Sequence, residues 1–350
     1  MRNPRDSMIS VGFAAFRATG LHRLMAPWTC GRGAILMFHH VRPAVAQDFA
    51  PNRLLEITPQ FLESVILQLK AGGFEIVTMD TALARLARPK ARDEPPFVVL
   101  TFDDGYRDNL QFALPVLKRH GAPFTLYVTT GFADRSARLW WRELEAAVRA
   151  LPSIRVEGPT GAVRFKASSH AQKARAFHAI YWMLRGMGEK AMLEQIARLA
   201  AKASISKTDL VATACMDWNG IREMAVDPLC TIGVHTLTHP MLAKHPAEMA
   251  EREMAESRRQ IEAQIGRPAR HLSYPVGDPT SAGPREFAMA AQLGFASAVT
   301  TRPGMILSAH AHQLTSLPRL SINGKWQTAK MVEVLLSGAP FALLNKGRPA

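Results

Sequence analysis

From Ala34 onward, short apolar runs alternate with stretches whose apolar positions recur at helical spacing. The run Ala34–Phe38 predicts a strand that ends in His39-His40-Val41. Thr58-Pro59 then opens a helix, because threonine caps, proline is tolerated at the first helical position, and Phe61, Leu62, Val65, Ile66 and Leu69 share one face. Gly72-Gly73 ends it; Phe74–Val77 predicts the next strand, residues 80–87 a helix, and the charged, proline-bearing Pro89–Pro96 a loop. Phe97–Phe102 is almost continuously apolar, the pattern of a strand buried on both faces of a parallel sheet. A helix near 109–119 leads to Gly121 and a strand at Phe124–Val128. This βα alternation predicts an α/β fold, a sheet or barrel wrapped by helices.

The alternation breaks over about 137–215. Arg155-Val156 and Val163–Phe165 flank Gly158-Pro159-Thr160-Gly161 as a hairpin, and helical stretches follow near 169–185 and 189–203. We read this segment as a helical insertion within one domain. Strand-like pieces return at 230–234, 271–274 and 295–299, separated by the helix Ala247–Gln264 and another near 285–293. The predicted organisation is an N-terminal amphipathic helical segment over 1–33, a barrel domain over 34–330 carrying the insertion, and a C-terminal tail over 331–350.

Composition adds bounds. The chain has 350 residues, 47% hydrophobic and 21% charged, an ordinary globular mixture that argues against intrinsic disorder. Lys and Arg number 43 against 29 Asp and Glu, a net charge of +14. The basic residues are scattered, with no Lys/Arg run of the kind that marks a dedicated nucleic-acid binder, so no nucleic-acid partner is expected. Cys30, Cys215 and Cys230 cannot all pair and form no C-x-x-C, which indicates neither a disulfide scaffold nor a zinc ribbon. Within Met8–Met25, Ile9, Phe13, Phe16, Leu21 and Leu24 stand near helical spacing with Arg17 and Arg23 between them, and no signal peptide is expected from this pattern. Two readings stand for it: a helix on the domain's flank, or weak docking on an anionic membrane surface.

Two clusters carry candidate chemistry. Thr101-Phe102-Asp103-Asp104-Gly105-Tyr106 lies where a buried strand ends. Neighbouring residues of a strand point to opposite faces, so two adjacent carboxylates can share a site only where the chain leaves the sheet, and Gly105 permits that exit. A helix cap or a solvated turn is the plainer alternative. His235-Thr236-Leu237-Thr238-His239-Pro240 follows the strand-like Thr231–Val234, and two histidines four apart meet across a single turn at chelating spacing. Pro240 disfavours the α conformation at His239, which points to an isolated turn in a loop. Together the clusters describe two histidines and a carboxylate with open coordination positions, a set that suits a hydrolytic metal better than a closed structural zinc.

These segments resemble the polysaccharide deacetylases, the nodulation protein B homology domain of carbohydrate esterase family four, and within it the chitooligosaccharide deacetylases. Thr101–Gly105 matches the family's T-F-D-D-G motif, His235–His239 its H-[ST]-x-x-H motif, and Leu272-Ser273-Tyr274-Pro275-Val276-Gly277 a degraded third motif. The likeness runs over about 34–326 and includes Ile35–Val41, Thr125–Gly131 and Leu317-Pro318-Arg319. It implies a distorted (β/α) barrel of seven strands. It also implies that Asp104, His235 and His239 hold a divalent metal, zinc being the usual one, that Asp103 is the general base, and that the backbone N–H of Val276 helps hold the oxyanion. Two departures stand out. The arginine that usually opens the third motif is Ser273 here, and Arg319 is a candidate to supply its charge from another strand. The late Leu-x-His motif, whose histidine protonates the leaving amine, has no clean match; His39, His40, His310 and His312 are candidates. Tyr274 is a further candidate for substrate contact. Tyr106, Trp218 and Trp326 are candidates for stacking on sugar rings, with apolar packing the competing role for each.

The implied reaction is metal-dependent removal of N-acetyl groups from N-acetylhexosamine residues of an oligo- or polysaccharide. Its rivals are an amidohydrolase acting on a non-sugar C–N bond and a metal-free carbohydrate-binding pseudoenzyme. The expected location is the cytoplasm, with peripheral contact at the inner membrane; oligomeric state is left open.

Overall fold

The apolar run at Phe97–Phe102 forms a central strand because every one of its residues is buried, so neither face of its sheet meets water. In chain order the sheet comprises β1 (Gly33–Phe38), β2 (Glu75–Ile76), β3 (Phe97–Phe102), β4 (Phe124–Val128), β5 (Cys230–Val234), β6 (His271–Ser273), β7 (Ser297–Val299) and β8 (Leu320–Ser321). The structure is a computed structural model that describes residues 16, 18–158, 161–325 and 327–345. Seven strands run in the order β7-β6-β5-β4-β3-β1-β8, and β2 pairs beside the start of β3. Every pairing in this sheet is parallel, with β1 matched to β3 from Gly33↔Phe97 to Phe38↔Phe102. A parallel bridge from Val299 to Leu317, three residues before β8, draws the two ends of the path together. The result is the expected distorted (β/α) barrel, with an eighth short strand added to the expected seven.

Helices cover the outside. Pro59–Ala71 forms as its pattern predicts: the Thr58 hydroxyl accepts the Phe61 N–H at 3.1 Å, and Phe61, Leu62, Val65, Ile66 and Leu69 are buried. Between β4 and β5 the chain leaves the barrel through the helix Trp140–Ala150, an antiparallel hairpin of Ser153–Gly158 with Gly161–Lys166, and the helices His170–Gly186, Glu189–Lys202 and Lys207–Ala214. This segment builds its own apolar cluster, including Leu144, Ile154, Ile180, Met192 and Ile196, beside the main core.

The chain ends differ from expectation. Over the described part of the expected tail, residues 331–345, the chain is mostly helical. Ala329–Leu336 is a helix with Met331, Val332, Val334, Leu335 and Leu336 buried, and Ala339–Leu344 forms another. The apolar run Met331–Leu336 is the cause, since its side chains add to the main core. At the N-terminus, Leu21–Thr29 is helical and leans on this C-terminal pair: Arg23 is bonded to Glu333, and the Thr29 hydroxyl donates to the Ser337 carbonyl. Most of the Met8–Arg17 pattern lies outside the described residues. Among the described residues, no helix is long and apolar enough to cross a membrane.

Candidate metal centre and active site

Parallel strands all present their carboxyl ends at one rim, and the candidate residues gather there. β3 delivers Asp103 and Asp104, β5 delivers His235 and, after a turn, His239, and β1 delivers His39. Asp103 is still tied to the sheet, its N–H donating to the Phe38 carbonyl at 3.0 Å. The chain then turns sharply, with left-handed φ of 74° at Asp104 and 68° at Gly105, which lets two adjacent carboxylates serve one site.

The His235–His239 turn is clamped from two sides. The Glu253 carboxylate, on the helix Ala247–Ile265, accepts the N–H groups of Leu237 and Thr238 at 2.9 Å each and the Thr238 hydroxyl at 2.7 Å. On the other side, Gly131 N–H donates to the Leu237 carbonyl at 2.7 Å. Position 131 must be glycine, because a Cβ there would lie 2.4 Å from that carbonyl oxygen. Among the described residues six non-glycine positions have left-handed φ, and four of them are Asp104, Thr236, His239 and Val276. Such strain costs on the order of 1–3 kcal/mol per residue, more readily expected at a functional site than in a bland loop.

Asp104 Oδ1 lies 3.4 Å from His235 Nε2 and 3.3 Å from His239 Nε2. The three ligand atoms fall within 4.8 Å of one another, and Asp104 Oδ1 is buried without a hydrogen-bond partner. His235 Nδ1 sits 2.7 Å from the Ser273 carbonyl, which can only accept, so Nδ1 carries the proton and Nε2 offers its lone pair. An orphaned carboxylate oxygen facing two imidazoles, one of known tautomer, fits a divalent cation.

Asp103 is held as an anion by a different device. Arg319, 1% exposed, donates from Nη1 to Asp103 Oδ1 at 2.8 Å and from Nη2 to Oδ2 at 2.7 Å, a two-pronged pair. The same guanidinium reaches Ser273 Oγ at 2.9 Å, Thr101 Oγ1 at 3.2 Å and the Thr300 carbonyl at 2.9 Å. Burial pushes the Asp103 carboxyl up, yet the charge and hydrogen bonds of Arg319 outweigh it, leaving its pKa below the ordinary value. The charge missing at position 273 is therefore supplied in space from position 319.

A cavity of about 510 Å³ opens over these groups, lined by His39, Asp103, Asp104, His235, His239 and Val276 together with residues of the insertion. His39 and His40 part company. His39 lines the cavity, and burial lowers its pKa against the pull of Asp104 and Asp103. His40 is no contact here: its Nδ1 pairs with Asp108 at 2.6 Å and its ring stacks on Tyr106, away from this cavity. Tyr274 is no substrate contact either. It is fully buried in the main core, with its hydroxyl donating to the Thr315 carbonyl at 2.8 Å, because it alternates with Ser273 and so faces the other way. His310 is buried elsewhere, its Nδ1 accepting the Leu307 N–H at 2.9 Å, and neither it nor His312 lines the cavity. Among the stacking candidates, Tyr106 is buried, Trp218 donates to Asp134 at 2.6 Å outside the cavity, and the Trp326 side chain lies outside the described residues. The aromatic lining comes instead from Trp140, Trp141, Phe177, Tyr181 and Trp182 of the insertion, which the sequence reading missed. Trp141 touches the site directly, its ring 5.0 Å from that of His239.

The family model for polysaccharide deacetylase matches residues 90–160 and 162–297, more than half of the chain. The chain belongs to the polysaccharide deacetylase family. Among curated proteins, YxkH of Bacillus subtilis (strain 168) is 32% identical over 94 residues, covering 27% of this chain and 30% of that one. The chain therefore matches less than a third of that relative's length. Among solved structures, the Streptococcus pyogenes deacetylase PplD in complex with acetate superposes with a TM-score of 0.55 at 18% identity, over 90% of this chain and 98% of that one. IcaB from Ammonifex degensii gives 0.53 at 18% identity, over 86% and 96%. The polysaccharide deacetylase BC0361 from Bacillus cereus gives 0.54 at 16% identity, over 87% and 68%. At these identities the likeness establishes the shared fold.

Proposed function

We propose that this protein hydrolyses the N-acetyl group of N-acetylhexosamine residues in an oligo- or polysaccharide of the chitooligosaccharide type, releasing acetate and a free amine. The observation that carries the proposal is the pairing, at one cavity, of an arginine-clamped carboxylate with an Asp–His–His ligand set. Asp104, His235 and His239 would hold the ion, and zinc suits this nitrogen and oxygen donor set. Such an ion, when bound, supplies Lewis acidity that polarises the acetyl carbonyl and acidifies a water.

The remaining steps belong to the chain's own groups. Asp103, kept anionic and fixed in direction by Arg319, takes a proton from the water as its oxygen bonds to the acetyl carbon. The N–H of Val276, in a loop whose strained turn lies beside the cavity, donates to the developing oxyanion. The C–N bond then breaks, and the proton that Asp103 took from the water passes through His39 to the departing nitrogen. An imidazole whose pKa is lowered by burial is, once protonated, a stronger acid than a free one. Acetate release from metal-loaded protein and chitooligosaccharides, read with product mass, tests the proposal.

The proposed setting is the cytoplasmic face of the inner membrane. Leu21, Leu24 and Trp28 form an exposed stripe on the helix Leu21–Thr29, and Leu343 and Leu344 are exposed on the helix packed beside it. With a net charge of +14, this apolar stripe suits an anionic bilayer surface. The three cysteines, all free, accord with a reducing compartment. Salt-sensitive binding to anionic vesicles, weakened by Trp28→Ser, is the expected result; equal binding to neutral vesicles would contradict it.

A further inference from the structure

The helix His170–Gly186 carries two stripes with different work. Ala176, Phe177, Ile180 and Leu184 are buried, and most of this stripe packs into the insertion's apolar cluster. His178, Tyr181, Trp182 and Arg185 stand at i, i+3, i+4 and i+7, and all four line the cavity that holds Asp103 and the ligand triad. The second stripe is not a solvated polar face, because its middle is aromatic.

Trp182 is 54% exposed although it stands in an aromatic group. Tyr181 meets it edge-on at 5.4 Å, His178 at 6.4 Å, and the Arg185 guanidinium stands 5.5 Å from its ring centre. Tyr181 is itself fixed by stacking on Trp140 at 5.2 Å and on Phe177 at 5.9 Å. Arg185 is pinned by Asp278 at 2.8 Å, two residues beyond Val276, so the insertion is tied to the loop that carries the proposed oxyanion donor. The ion pair balances the Arg185 charge beside the indole. A half-open indole in a preorganised frame leaves apolar surface in water that a ligand can cover, and the C–H face of a hexopyranose is such a ligand.

We propose that Trp182 of the inserted helix, braced edge-on by Tyr181, forms a stacking platform for a second, neutral sugar ring next to the residue being deacetylated. The preferred substrate is then an oligomer, with the single sugar too short to reach both the platform and Asp103. This inference rests on the deacetylase reading for its substrate class, but its test can fail separately.

The test is calorimetric titration of full-length, zinc-loaded protein in the Asp103→Asn background with N-acetylglucosamine and with its β-1,4-linked tetramer. The same titration is run with Trp182→Ala and Trp182→Tyr added, and acetate release is measured in parallel with Asp103 intact. The expected result is tetramer binding at least about tenfold tighter than the monosaccharide, loss of most of that advantage in Trp182→Ala, and its recovery in Trp182→Tyr. Unchanged preference in Trp182→Ala, or no preference for the tetramer at all, would overturn the platform. Tetramer binding that depends on Trp182 without acetate release would keep the platform and reject the deacetylase reading. Acetate release with no dependence on Trp182 would do the reverse.

Discussion

Replacing Arg319 by methionine removes a positive charge that is 1% exposed from beside a carboxylate that is 2% exposed. Five polar contacts go with it, two of them to Asp103 at 2.7–2.8 Å. Removing one partner of a buried pair costs about 3–5 kcal/mol, because the other charge is left without compensation. Ser273 Oγ, already 3.4 Å from Asp103 Oδ2, can close in and return about 1 kcal/mol, so the lower end of that range is expected at neutral pH. The cost depends on pH with a definite sign. In the wild type the folded pKa of Asp103 lies below the ordinary value, so its contribution to stability is present above that value and is lost as pH falls through the folded pKa. In Arg319→Met burial is left without its main counterweight and the folded pKa rises above the ordinary value. The penalty is then full at neutral pH and vanishes in acid. Urea unfolding at several pH values should show two curves that diverge at pH 7 and converge as pH falls. The acid limb of kcat/KM should move to higher pH, and a readout of this kind separates a role in holding the base from a merely structural one. Equal stability at pH 7 with an unmoved acid limb would mean that Arg319 does not hold Asp103 as an anion.

Asp103→Asn keeps the shape but cannot accept the proton, so turnover should drop ~10²-fold or more while metal content stays at one ion per chain; near-native turnover would demand another base. His235→Ala should strip most of the metal while circular dichroism shows the barrel intact, and full occupancy would remove His235 from the ligand set. His39→Ala should slow hydrolysis of the N-acetyl amide far more than that of an aryl acetate, whose leaving group needs no proton; equal slowing of both would assign His39 some other task.

The strands and both motifs were legible because their signals are local. The continuous burial of Phe97–Phe102 follows from its apolar run, and Gly105 and Pro240 mark where each chain segment must leave regular structure. Arg319 was legible only as a candidate. It lies 216 residues from Asp103 in sequence, and what unites them is the return of β8 to the edge of β1, a property of the closed sheet. Of the adjacent pair His39 and His40, alternation at a strand end allows only one to face the cavity, but no local signal says which. Asp108 and Tyr106 decide it by drawing His40 aside. The aromatic wall escaped notice because its residues look like core at helical spacing, and Ile180 and Trp182, two residues apart, occupy different stripes of one helix. The C-terminal helices escaped for the opposite reason: the run Met331–Leu336 is short, and its partners, Leu21–Thr29 and Pro59–Ala71, come from far upstream.

In the proposed reaction the clamped carboxylate and the Asp–His–His set act together in removing an acetyl group from a sugar nitrogen. Its most direct test is incubation of zinc-loaded protein with N-acetylglucosamine oligomers, with acetate and product mass measured in the same reaction. The expected result is one acetate for each acetyl group lost from the product, slowed ~10²-fold or more in Asp103→Asn and abolished by chelation. Oligomer recovered at its starting mass with no acetate, from protein shown to carry its metal, would contradict it.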